Sequence, residues 1–255
     1  MSSPAVTSVA VLEAVDLCKS FGGLAAVRDV NLSLRVNQLH AVIGPNGAGK
    51  STFVNLLSGQ LRPSLGRILL EGEDICGTSA WKMAHLGVGR SFQRTNILKS
   101  LSVLENVRLA AQAVRLPARR IFSTAKRETA LIDIARRALE RVGLAHEETA
   151  IAGLLSHGAQ RQLEIAMTLA IEPKVLLLDE PLAGMGQEES ERMAVLLQSL
   201  AQDHAVLLIE HDMDFVFKVA DQMTVLVEGA VLATGRPADV RANKAVQTAY
   251  LGGHA

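Results

Sequence analysis

Hydrophobic residues alternate with polar ones at Val30, Leu32, Leu34 and Val36, the period of a strand with one buried face. Leu39 to Ile43 is then a short, mainly apolar run that ends at a glycine-rich turn, and Ser51 to Leu57 reads as a helix. Further on, Val175 to Leu178 and Val206 to Ile209 are unbroken β-branched or leucine runs, the pattern of strands buried on both faces of a mainly parallel sheet. Between them, Glu188 to Leu200 repeats apolar residues at helical spacing. Strands alternating with helices predict an α/β sandwich core.

The middle of the chain breaks that alternation. From about Ser100 to Gly143 the pattern is helical, with Leu101, Leu104, Val107, Leu131, Ile134, Leu139 and Val142 as core positions and Pro117 as a break. Arg108 to Arg141 holds nine Lys or Arg against three Asp or Glu, a surplus of six positive charges. It reads as a helical subdomain inserted into the core, its charge serving either a solvated helix face or a surface that docks a partner or faces lipid headgroups. The tail, Thr224 to Leu251, reads as a strand, a turn at Glu228-Gly229, a second short strand and helical pieces, and is expected to be accessory.

Composition adds exclusions. Lys plus Arg and Asp plus Glu both total 26, so no whole-protein electrostatic footprint for nucleic acid is expected. No apolar run exceeds five residues, as at Ala205 to Ile209, where a membrane span needs about 20. Met1 to Ala10 lacks the basic start and apolar core of a secretory signal. Cys18 and Cys76 lie far apart without metal-ligand spacing, as expected of free thiols in a reducing compartment.

The chemistry begins in the glycine-rich turn. Gly44-Pro45-Asn46-Gly47-Ala48-Gly49-Lys50-Ser51 matches the Walker A pattern between a strand and a helix. Glycines let backbone N–H groups converge on phosphate oxygens, and the helix adds the positive end of its dipole. Lys50 supplies a point charge for the β- and γ-phosphates, and the Ser51 hydroxyl suits Mg²⁺. The run Val175 to Leu178 empties into Asp179 and Glu180, the Walker B arrangement, with Asp179 toward Mg²⁺ and Glu180 toward the attacking water. Leu155-Ser156-His157-Gly158-Ala159-Gln160 precedes a helix whose buried stripe is Leu163, Ala166, Met167 and Ala170. Ser156 can cap that helix and Gly158 admits a phosphate, making a second anion-binding terminus.

The order of Walker A, Gln93 after the strand-like Val88 to Phe92, the Leu-Ser-x-Gly-x-Gln signature, Walker B and His211 after another strand resembles the ABC ATPase family over nearly the whole chain. The resemblance implies one ABC domain over residues 1–255. Its fold would be an α/β P-loop core of mainly parallel sheet, with an N-terminal antiparallel β subdomain, a helical signature subdomain at about 94–165 and an accessory tail at about 228–255. It implies that Phe21 stacks on adenine, that Val27, Thr52 and Gln160 join the nucleotide contacts, and that Gln93 reaches Mg²⁺ and the attacking water. Ser156 and Gly158 would bind the γ-phosphate held by a second copy, and His211 would contact the γ-phosphate in its own chain. One departure stands out: Gly186 occupies the position where the family carries an acidic residue that communicates across the dimer.

Phe21 to Val27, Arg90-Ser91-Phe92-Gln93, Leu208 to Met213 and the ending Ala249-Tyr250-Leu251-Gly252 are similar to ATP-binding subunits of branched-chain amino acid importers. That likeness implies ATP and Mg²⁺ as cofactors, a second ATPase subunit, polytopic membrane subunits and an extracytoplasmic solute-binding protein. It also implies a peripheral location on the cytoplasmic face of the membrane. Similar patterns occur in importers of urea, amides or aromatic acids and in a lipopolysaccharide-type exporter. A soluble ABC ATPase of repair, translation or iron–sulfur assembly is the rival from another class, while a P-loop kinase or GTPase leaves Ser156 and His211 unexplained.

Overall fold

The computed structural model describes residues 10–91, 96–115 and 125–251. In chain order the elements are β1 (Ala10–Phe21), β2 (Leu24–Arg35), β3 (Gln38–Ile43), α1 (Lys50–Leu57), β4 (Leu65–Leu70), β5 (Glu73–Asp74), α2 (Ala80–Leu86), β6 (Val88–Arg90), α3 (Val103–Arg115), α4 (Ala125–Arg141), α5 (His157–Leu169), β7 (Val175–Asp179), α6 (Gln187–Ala201), β8 (Ala205–Ile209), α7 (Met213–Val219), β9 (Gln222–Val227), β10 (Ala230–Gly235), α8 (Pro237–Ala242) and α9 (Lys244–Leu251). The chain divides into two units, one of residues 1–79 and 197–255, the other of residues 80–196.

The first unit carries two sheets. Strands β2, β1, β4 and β5 form an antiparallel sheet in that order. Leu12, Leu17, Leu34 and Ile68 are buried on it. The β1–β2 register shifts four times, and Asp16 in β1 and Asp29 in β2 both take left-handed backbone conformations. In the second sheet β3 lies parallel to both β8 and β9, and β10 closes antiparallel on β9. Strands β3 and β8 are buried almost throughout, as expected of parallel strands covered on both faces. The polar side chain inside β3, His40, meets the Thr224 hydroxyl at 2.8 Å, and Thr224 meets Thr234 at 2.9 Å.

The second unit pairs β6 parallel with β7. Helices α3, α4 and α5 pack on one another. Val107, Leu131, Leu139 and Val142 are buried as the spacing predicts, whereas Leu101, Leu104 and Ile134 are half-buried. Asn106 is fully buried at the start of α3, where its amide bonds the Leu98 backbone in both directions and the Ser102 carbonyl. Among the described residues of the basic stretch, Arg108 pairs with Glu105, Arg115 with Glu172 and Arg136 with Glu148. Pro117 lies outside the described residues.

Two expectations shift. Val36 falls just past β2 and is 40% exposed, because the chain turns there instead of extending the alternation. The tail is less peripheral at its start than its composition implies: β9 is a strand of the parallel sheet, and Gly229 is bonded into the phosphate-loop region.

Candidate functional site

In the first unit the loop from Gly44 to Gly49 joins β3 to α1, and its shape is dictated by what surrounds it. Gly49, the residue before α1, has φ +97°, and a Cβ there would sit 2.3 Å from the Ala26 carbonyl oxygen. Only glycine fits that approach. The Arg28 N–H donates to the Gly229 carbonyl at 2.7 Å and the Gly229 N–H donates to the Ala48 carbonyl at 3.0 Å, so the β9–β10 turn ties β2 to the loop. The helix start has no side-chain cap and no acidic residue in its first turn. Its N-terminal amides and dipole are therefore suited to an anion from elsewhere.

Lys50 is almost wholly buried, and its ammonium donates to the Gly44 carbonyl at 2.5 Å and the Pro45 carbonyl at 3.1 Å. The cation is thus held against the backbone at the start of the loop. Ser51 is exposed, Thr52 half-buried, and Asn46 and Gly47 are exposed at the loop tip. Val27 is buried; Phe21 is 47% exposed at the end of β1 with the Lys19 ammonium 5.1 Å from its ring. A half-exposed ring on a tight hairpin is a surface on which a flat heterocycle can stack.

His211 follows β8 and is exposed, while its neighbour Glu210 is fully buried and accepts the His211 backbone N–H at 3.2 Å. Asp212 caps α7 by accepting from the Phe215 N–H at 3.0 Å. The histidine therefore stands on a short link pinned on both sides.

In the second unit Asp179 ends β7 and is buried, with the Arg90 guanidinium of β6 at 3.1 Å. Burial raises the Asp179 carboxyl above its usual range despite the opposing charge of Arg90, and burial likewise lowers Arg90. Glu180 has φ +49°, a left-handed conformation that costs a non-glycine residue about 1 kcal/mol or more. Strain of that kind clusters at functional positions.

Ser156 caps α5, its hydroxyl oxygen accepting from the Ala159 N–H at 3.2 Å. Gly158 is buried in the first turn, and Gln160 donates its amide to the Leu155 carbonyl at 3.1 Å. Glu164 accepts from Arg161 at 2.8 Å and from the Asn96 N–H at 3.0 Å, which anchors the segment after residues 92–95 to α5. Gln93 itself lies outside the described residues. Among the described residues no three His, Cys, Asp or Glu cluster as a metal cage.

The sequence reading missed three partners: Arg90 as the counterion of Asp179, Glu210 beneath His211, and Glu189. The last accepts from the Ser156 hydroxyl and from the Gly186 N–H, both at 3.3 Å. Arg90 and Glu210 lie in the segments 90–93 and 208–213, but nothing in the spacing marks them as partners. Glu189 had no signal beyond an acidic first helical turn.

A family model described as ABC transporter matches residues 27–183, and one described as branched-chain amino acid ATP-binding cassette transporter matches residues 230–255. The chain is 40% identical over 254 residues to the high-affinity branched-chain amino acid transport ATP-binding protein BraF of Pseudomonas aeruginosa, covering 95% of this chain and 98% of the relative. It is 38% identical over 244 residues to LivG of Escherichia coli, a protein of the same description, covering 92% and 95%. The crystal structure of the ADP conformation of MJ1267, an ATP-binding cassette of an ABC transporter, is 27% identical with a TM-score of 0.83, covering 96% of this chain and 100% of that one.

Proposed function

The chain belongs to the ABC transporter ATP-binding family, and from that membership we propose that it is the ATP-hydrolysing subunit of an importer for branched-chain amino acids or a closely related small solute. The observation that carries the solute class is the match at residues 230–255 to the family model described as branched-chain amino acid ATP-binding cassette transporter. Relatives named for branched-chain amino acid transport align over more than nine-tenths of the chain, and the match at residues 230–255 reaches beyond the ATPase core.

The roles follow from the local chemistry. The Gly44–Gly49 amides and the α1 terminus would cradle the phosphates, with Lys50 leaving its two carbonyl partners for the β- and γ-oxygens. Phe21 would stack on the adenine. The Ser51 hydroxyl and the Asp179 carboxylate are hard oxygen donors and fit Mg²⁺, an ion held by few protein groups together with phosphates and water. When bound, Mg²⁺ neutralises charge on the phosphates. Gln93 and Glu180 would orient and polarise the attacking water, and His211 would contact the γ-phosphate. Catalysis is then mainly positioning and charge stabilisation.

Ser156 and Gly158 would meet the γ-phosphate held by a second ATP-binding subunit. No described helix is long and apolar enough to cross a membrane. As an ATP-binding transport subunit, the chain would work through membrane partners from the cytoplasmic face. The solute itself would be selected by those partners and their binding protein.

Two experiments test the reading. Glu180→Gln is expected to retain ATP binding and lose turnover; normal hydrolysis by that variant removes the role given to Glu180. In vesicles holding the complete transporter, leucine, isoleucine or valine with the binding protein is expected to stimulate ATP hydrolysis. Stimulation by urea or an amide, and by none of the three amino acids, overturns the solute class.

A further inference from the structure

Resting on the assignment of Ser156 and Gly158 to a partner's γ-phosphate, we propose that Glu189 is an internal stand-in for that phosphate, which the incoming nucleotide must displace. One Glu189 oxygen accepts from the Ser156 hydroxyl at 3.3 Å and the other from the Gly186 N–H at 3.3 Å. Gly158 lies against the same carboxylate: a Cβ there would fall 2.5 Å from Oε1 and 2.7 Å from the carboxyl carbon. The hydroxyl and the bare glycine that suit a phosphate are thus both turned to one carboxylate of the same chain.

Half of this arrangement has a local explanation. Gly186 precedes α6 and its carbonyl accepts from the Ser190 N–H, so Glu189 is the third residue of the helix, reaching back to the first amide as in a capping box. Capping does not require the bond to Ser156, 33 residues away in sequence. A phosphate arriving at Ser156 competes for the same hydroxyl and carries charge of the same sign, so the two cannot share the place. The contacts lie in a cleft of about 310 Å³ lined also by His146 and Arg192. Arg192, one turn along α6 and now paired with Glu188, gives the released carboxylate a cation to turn toward. Glu189 therefore acts through Ser156 as a positioning residue: it keeps the signature loop in register and sets how much ATP is needed to close the dimer. It also couples Gly186, which has no side chain of its own, to the signature helix.

The test uses the full-length chain carrying Glu180→Gln, so that turnover does not drain the dimer. Sedimentation velocity against ATP concentration gives the midpoint of dimerisation. Adding Glu189→Gln removes the charge and keeps a residue that can cap at this position. It is expected to lower the ATP midpoint about tenfold, because the like charge that opposes the incoming phosphate is removed. Binding of a fluorescent ATP analogue to the monomer and the urea midpoint should stay as in the parent. Glu189→Asp, which keeps the charge and withdraws it from Ser156, should fall between the two. An unchanged or raised midpoint in Glu189→Gln overturns the proposal. If neither the parent nor either variant dimerises at any ATP concentration, the assignment of Ser156 and Gly158 fails, and this inference falls with it.

Discussion

Arg90 and Asp179 form an ion pair between the adjacent parallel strands β6 and β7, 3.1 Å apart with side chains only 9% and 7% exposed. Removing one partner of such a pair leaves a buried charge without compensation, at a cost of about 3–5 kcal/mol. Arg90→Met should therefore lower the urea midpoint strongly. Arg192→Met, which breaks the exposed pair with Glu188, should cost under about 1 kcal/mol. Equal effects from the two variants would remove Arg90 as the support of the β7 carboxylate.

His40 predicts an acid limb. Burial pulls its imidazole down from 6.5 to about 4, so the folded chain keeps it neutral where the unfolded chain takes a proton. Stability from this residue is whole above pH 6.5 and is lost as pH falls toward 4, by about 3 kcal/mol in all. Urea unfolding at pH 7 and pH 4.5 measures it. His40→Gln, which does not titrate, should show a smaller drop over the same interval; an identical drop would place the acid sensitivity elsewhere.

Gly49→Ala should be costly twice over. The new Cβ would meet the Ala26 carbonyl at 2.3 Å, and φ +97° strains any side chain. We expect a loss of about 2–4 kcal/mol in stability and weakened nucleotide binding, read by urea unfolding and fluorescent-nucleotide titration. Gly47→Ala serves as the control, since its Cβ meets nothing within 4 Å although φ +81° is strained there too. It should destabilise clearly less.

Ser156→Ala removes the cap of α5 and should cost about 1 kcal/mol in unfolding free energy. Ser156→Asp keeps a cap but brings a second carboxylate against Glu189, so it should restore little of that stability. Full recovery by the aspartate would mean that Glu189 and residue 156 do not interact.

The parts of the fold legible in the sequence are those whose burial is periodic. Leu32 and Leu34 marked β2 by alternation, and Val175 to Leu178 and Val206 to Ile209 marked strands covered on both faces. Strand β1 gave no such pattern, because its register shifts move successive residues off a two-residue period. Ser156 was legible as a cap because the residue type and the helix start are local. Contacts such as Arg90 to Asp179, 89 residues apart, or Ser156 to Glu189 depend on how strands and helices come together, and local spacing carries no trace of them. Gly186 hid the second contact further: a capping box is recognised by Ser or Thr before the helix, and here glycine stands in that place.

The bonds from Gly229 to Arg28 and Ala48 bear on where this protein can be cut or fused. A chain ended at Val227 would keep every loop residue and still release the strap behind it, so nucleotide affinity should be lost with the motif intact. A tag or fusion joined after α9 leaves the strap in place.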